Sequence, residues 1–184
     1  MIKDLIKRYI QNLSSVCHRN PKRSFETKIH QSVLCVRCSS IYAGFLFTFL
    51  FLLFYGFFST QISVFWALVL AGPITIDGIT QRVGLRESFN ELRIITGFFL
   101  GSCFSFLIGS SIQKNFHLLK AKVMVVPDLL FVVFLGIFIL IYLFLSKTQN
   151  PKHIYVVDSI TIVGSMALYI SLAITILKII VNLI

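Results

Sequence analysis

Five apolar runs, at residues 41–58, 62–76, 94–112, 128–145 and 160–177, take up nearly half of this chain and decide what it can fold into. A helix rises roughly 1.5 Å per residue, so most of these runs come close to the ~30 Å hydrocarbon thickness of a bilayer. In lipid every backbone polar group must be satisfied internally, and continuous rather than alternating apolar runs meet that demand as helices. At 57% apolar and 13% charged residues, the chain lies outside the range of soluble domains. The expected fold is all-α, a polytopic transmembrane bundle of about five spans. Residues 41–184 make up this transmembrane domain, with a polar loop at 77–93. Residues 1–40 form a small cap of an amphipathic helix and a Cys/His segment.

Local signals mark the helix ends. The run at 62–76 is short, is interrupted by Gly72-Pro73, and ends at Asp77-Gly78. Ser88 and Glu91 have the spacing of a capping box, which predicts a helix starting at Phe89. Pro127-Asp128 suits the first turn of a fourth helix, and Asp158-Ser159 is expected just before the last. Lys178 is placed to snorkel from the far end of that helix. At the N-terminus, Ile2, Leu5, Ile6, Tyr9 and Ile10 fall on one helical face opposite Lys3, Lys7 and Arg8, the pattern of an interfacial helix. The segment lacks the continuous apolar core of a signal peptide, so the mature chain is expected to keep it.

Seventeen Lys+Arg against seven Asp+Glu make the chain strongly basic. In a polytopic protein such residues mark cytosolic loops and contact anionic headgroups, so the partner they imply is the lipid bilayer and not nucleic acid. With the N-terminus in the cytosol, the inside holds Lys3, Lys7, Arg8, Arg19, Lys22, Arg23, Lys28, Arg37, Arg82, Arg86, Arg93, Lys147 and Lys152. The outside holds Lys114, Lys120, Lys122 and Lys178. The expected location is the cell membrane, N-terminus inside.

That orientation places Cys17, Cys35 and Cys38 in a reducing compartment, where paired thiols serve more often as metal ligands or redox groups than as structural disulfides. Cys35 and Cys38 form a C-x-x-C pair, and Cys17 lies upstream with His18 beside it. Zinc takes such thiolate and imidazole sets tetrahedrally, so the expected cofactor is zinc on Cys17, His18, Cys35 and Cys38. His30 competes with His18 for the fourth position. An iron–sulfur or redox dithiol role, and plain packing of three small residues, are the alternatives. Cys103, in the middle of the third run, is read as packing.

The second constellation is the loop after the second run. Asp77 ends an apolar run so short that its carboxylate should lie at or inside the membrane interface, where an ionisable group needs a partner and is a functional candidate. Asn90, Arg93 and Gly97 share a face at the mouth of the third helix, and Gly97 with Gly101 predicts a close helix crossing. Asp77, Glu87 and Arg93 are the catalytic candidates; Arg23, Gln81, Arg86, Asn90 and Arg93 are the candidates for binding an anionic substrate, since arginine forks suit phosphate and carboxylate.

The segments CHRNPKRSF, CVRCSSIYAG and PITIDGITQRVGLRESFNELRIITG together resemble an uncharacterised family of small bacterial and archaeal membrane proteins, a domain of unknown function. Its pattern is C-H-x-x-P-x-R-S-F, then C-x-R-C-x-G-I-Y-x-G, then D-G-x-T-Q followed by R-E-S-x-N-x-x-R-x-x-T-G. The resemblance runs from Cys17 to about Gly101. Ser40 stands where the pattern has glycine, so the entry to the first helix is expected to differ there. The family implies no activity, but it implies that the cysteine cap and the Asp77–Gly97 segment work together.

Two classes of function follow. One is a binding or assembly protein whose zinc-pinned cap docks a protein partner. The other is a membrane-embedded enzyme or carrier for an anionic lipid-like or small substrate, using Asp77, Arg86 and Arg93. The chain contains no P-loop, HExxH or GxSxG, which favours the first and leaves enzymatic activity undecided.

Overall fold

The structure is a computed structural model of the chain that describes residues 9, 17, 24–26, 31–55, 60–85, 89–116, 128–147 and 151–183. Two short strands, β1 (Ser24–Glu26) and β2 (Gln31–Cys35), pair antiparallel. Five helices follow: α1 (Val36–Tyr55), α2 (Thr60–Arg82), α3 (Asn90–Phe116), α4 (Asp128–Lys147) and α5 (Pro151–Leu183). The protein is thus an all-α helical bundle carrying one small ribbon, and the ribbon is a feature that the polar composition of the cap concealed. Among the described residues, Val36–Leu53, Asn90–Gly109 and Lys152–Val181 are long and apolar enough to cross a membrane, and Phe131–Lys147 is a shorter apolar helix. Much of the outer surface is apolar, including Leu140, Phe144, Ile170 and Leu177. Such a surface suits lipid and not water.

α1 is the central helix, packed along α3 on one side and α5 on another, with α2 lying against α3 and α4 against α5 and α3. Glycines allow the two closest crossings. A Cβ on Gly101 would fall on the Ile41 carbonyl oxygen, one on Gly44 would strike the Phe98 backbone, and one on Gly164 would strike the Tyr42 carbonyl. The Gly97/Gly101 pair therefore sets the α1–α3 approach expected from its spacing. Because Gly101 meets backbone, which cannot swing aside, Gly101→Ala should destabilise by roughly 2–3 kcal/mol. Gly136, with nothing within 4 Å of a built Cβ, should accept alanine with no loss or a gain of a few tenths of a kcal/mol to about 1 kcal/mol. Thermal melts of the two variants in one detergent check the contrast.

Three expected boundaries are corrected. α2 does not break at Gly72-Pro73 or stop at Asp77; it runs through Pro73 to Arg82. Pro73 forfeits only the bond its N–H would have given to the carbonyl four residues back, that of Val69, and the helix continues on either side of it. The helix ends where Gly84 takes φ +74°. There Leu85 N–H donates to Thr80 (3.0 Å) and Gly84 N–H to Gln81 (3.2 Å), a Schellman cap. α1 begins at Val36, before the expected residue 41, so Cys38 belongs to its first turn. Asp158 does not precede the last helix but lies within it, since α5 starts at Pro151. At about 1.5 Å per residue a helix of 33 residues exceeds a bilayer core by several turns, and its first turns extend beside the ribbon. The capping box differs by one position: Phe89 is the cap, its carbonyl accepting from Arg93 N–H (3.2 Å). Ser88 lies outside the described residues, as does the N-terminal helix except Tyr9, whose hydroxyl is 2.9 Å from that of Ser165.

Candidate functional site

The cysteine cluster forms where β2 turns into α1. Cys35 is the last residue of the strand and Cys38 lies one helical turn on, so C-x-x-C here joins a strand end to a helix start. Cys17, buried, comes alongside and its sulfur accepts the Cys35 N–H (3.3 Å). The three sulfur atoms all lie within 4.8 Å of one another. Tetrahedral zinc with bonds of about 2.3 Å needs sulfurs roughly 3.8 Å apart, so the cluster fits a metal after closing by less than about 1 Å. The Cys35 thiol is pulled down to about 5, first by the hydrogen bond from the Cys38 thiol and then, against the opposing effect of burial, by the Cys38 and Arg37 N–H groups and the Cys17 thiol. The first N–H groups of a helix have no partner within it, so the start of α1 supplies them to sulfur. His18 and His30, the two candidates for a fourth ligand, lie outside the described residues.

The ribbon is docked on the helices. The Phe25 ring meets Tyr142 edge-on at 6.2 Å, Leu34 is buried, and Val33 N–H donates to the Asp158 carboxylate (3.2 Å). Asp158 therefore fixes the strand to α5. Below it, Tyr142 donates to Ser39 (2.8 Å), and Ser39 is hydrogen-bonded to Thr161, which joins α1, α4 and α5 in a buried hydroxyl layer.

A second cluster lies at the same end of the bundle. Asp77 is 1% exposed and its carboxylate pairs with the Arg37 guanidinium. Arg37, which lies between the two cysteines, is not among the site residues expected from the sequence. The signal was present, because Arg37 sits inside the C-x-R-C motif while Asp77 heads D-G-x-T-Q. On α3, Arg93 is buried and reaches Asn90 Oδ1 (3.4 Å). Ser40 Oγ lies within hydrogen-bonding distance of the Val36, Arg37 and Arg93 carbonyls. The serine that departs from the family pattern thus ties α1 to α3. Gln81 is half-buried one turn beyond Asp77. Arg23, Arg86 and Glu87 lie outside the described residues. The exposed Lys147–Glu91 pair (3.6 Å) belongs to the same end and contributes little. Cys103 is buried in the apolar core, as expected.

Apolar helices of membrane-spanning length around a small thiol-bearing cap define a polytopic helical membrane protein. The chain belongs to the family described as "Predicted membrane protein (DUF2085)", which matches residues 17–107. An uncharacterised protein of Methanocaldococcus jannaschii is 43% identical over 100 residues, covering 52% of this chain and 62% of that protein. An uncharacterised protein of Methanothermobacter thermautotrophicus is 43% identical over 82 residues, covering 45% of this chain and 74% of that one. The chain spans less than two thirds of the first relative's length. No solved structure matches. The matched region contains both the cysteine cluster and the Arg37–Asp77 pair.

Proposed function

We propose that this protein is a multi-pass protein of the cell membrane that binds one zinc ion through Cys17, Cys35 and Cys38, with His18 as the fourth ligand, and acts as a binding or assembly protein. The convergence of three sulfurs from two separated segments within 4.8 Å carries the reading. Zinc bound there would hold the Cys17 segment to the strand–helix junction, giving a rigid cap for a protein partner. The five helices would cross the bilayer alternately with the N-terminus in the cytosol. Supporting this, Arg37, Asp77, Arg93, Lys147 and Asp158 gather at one end of the bundle, as helices alternating in direction require. Arg37, Arg82, Arg93, Lys147 and Lys152 would then share the inner face with the basic N-terminal segment.

Elemental analysis of detergent-purified protein tests the site. About one zinc per chain is expected in the wild type, and almost none after Cys17, Cys35 and Cys38 are together replaced by serine. A metal-free wild type, or zinc retained by the triple variant, would defeat the reading; stoichiometric iron would keep the ligands and change the metal.

A further inference from the structure

All four cysteines of the chain are free thiols, and three of them share one small volume. The Cys17, Cys35 and Cys38 sulfurs lie within 4.8 Å of one another, close enough for a metal to join all three or, after side-chain rotation, for two of them to bond directly. The direct bond has one favoured pair. Cys35 takes the cap position before Val36, the first residue of α1, so Cys38 stands three residues on, across the first turn. Residues three apart in a helix have Cα atoms about 5 Å apart, inside the range of about 4.4–6.8 Å that a disulfide spans. Both residues are also partly exposed, whereas Cys17 is buried and Cys103 lies in the apolar core. A small oxidant arriving from water therefore meets Cys35 and Cys38 first.

We infer that hydroperoxide converts Cys35 and Cys38 into a reversible disulfide, and that this bond and the metal are alternative states of the cluster, so that oxidation releases zinc and unpins the Cys17 segment. The inference rests on the zinc reading above and adds its regulation. A coordinated thiol is already deprotonated. The Cys35 sulfur attacks one peroxide oxygen, the O–O bond breaks, hydroxide departs, and Cys35 becomes a sulfenic acid. The Cys38 sulfur then attacks the Cys35 sulfur and expels the second hydroxide. Two thiolates have given up two electrons, and hydrogen peroxide, with two protons from solvent, has become two waters. A disulfide sulfur no longer carries the thiolate charge that binds metal, which leaves Cys17 and His18 as two of the four ligands that zinc takes. Exchange with a cytosolic thiol such as glutathione reduces the pair again, and the cluster can reload.

The test uses the full chain as purified in an uncharged detergent, with its zinc content measured first. Stoichiometric hydrogen peroxide is then added, a chromogenic chelator reports free zinc, and peptide mass spectrometry after alkylation locates the disulfide. Release of about one zinc per chain is expected in step with a Cys35–Cys38 disulfide, leaving Cys17 and Cys103 alkylated. Trypsin cleavage after Arg19, Lys22 and Arg23 should rise by about tenfold or more, and dithiothreitol with added zinc should reverse all three changes. Cys103→Ser should respond as the wild type does, and Cys17→Ser, which keeps the pair, should still form the disulfide. Failure to form a disulfide, a disulfide that joins Cys17 to either partner, zinc retained after the pair has closed, or zinc released while the thiols stay reduced would overturn the exchange and leave the metal site standing. Protein purified without metal would instead overturn the zinc reading, and the exchange with it, before any peroxide is added.

Discussion

Replacing Arg37 with methionine is expected to destabilise the protein by about 3 kcal/mol, and adding Asp77→Asn to that variant is expected to recover part of the loss. The asymmetry comes from burial. Asp77 is 1% exposed whereas the Arg37 side chain is 28% exposed, so losing the arginine leaves its carboxylate short of its main counter-charge where water cannot replace it. Removing the carboxylate as well relieves that penalty. The pair also links α1 to α2, two helices that otherwise meet mainly through α3. A double-mutant cycle from thermal melts should therefore show coupling of at least ~1 kcal/mol, and the double variant should melt above Arg37→Met. Additive losses would mean that solvent screens the pair and that Asp77 is held by other groups. The exposed Lys147–Glu91 pair offers the comparison, with an expected coupling below about 0.5 kcal/mol.

How far the sequence disclosed this arrangement depended on the range of the forces involved. The helices were legible because long apolar runs in lipid have one solution, and Gly97 with Gly101 disclosed the crossing because close backbone approach needs a missing Cβ. Burial of Asp77 followed from the shortness of the apolar run before it. Its partner did not follow, because an arginine paired across 40 residues of sequence leaves no local periodicity. Asp158 was misread as a helix-start residue since its sequence context, an acid before serine, is the same in both cases. A different signal was available: Ile154, Val157, Asp158, Thr161, Ser165 and Leu168 are all buried, a helical stripe that runs through the acid. The ribbon was hidden because two short strands in a polar segment are specified by docking on Tyr142 and Asp158 more than by their own alternation.

That docking shapes what metal removal should do. A cap held by zinc alone would come apart with it, for structural zinc contributes roughly 10 kcal/mol or more in small modules. Here the strand β2 continues directly into α1, Leu34 is buried, and Val33 is bonded to Asp158, so the junction carrying Cys35 and Cys38 has its own support. The Cys17 segment joins that junction through its sulfur. With zinc at the proposed site, chelation is therefore expected to free the chain around Cys17 while leaving the helices folded. Trypsin reports the difference, because Arg19, Lys22 and Arg23 lie just beyond Cys17. Cleavage at those residues should accelerate at least tenfold after chelation, equivalent to about 1.4 kcal/mol of lost protection if cleavage tracks the open population. The Tm of the helical signal should move by only a few degrees. Zinc added back should restore protection to the wild type and not to the triple serine variant. Cleavage that is indifferent to chelation would show that Cys17 is held by packing, and collapse of the helical signal would show that the thiol site supports the bundle itself.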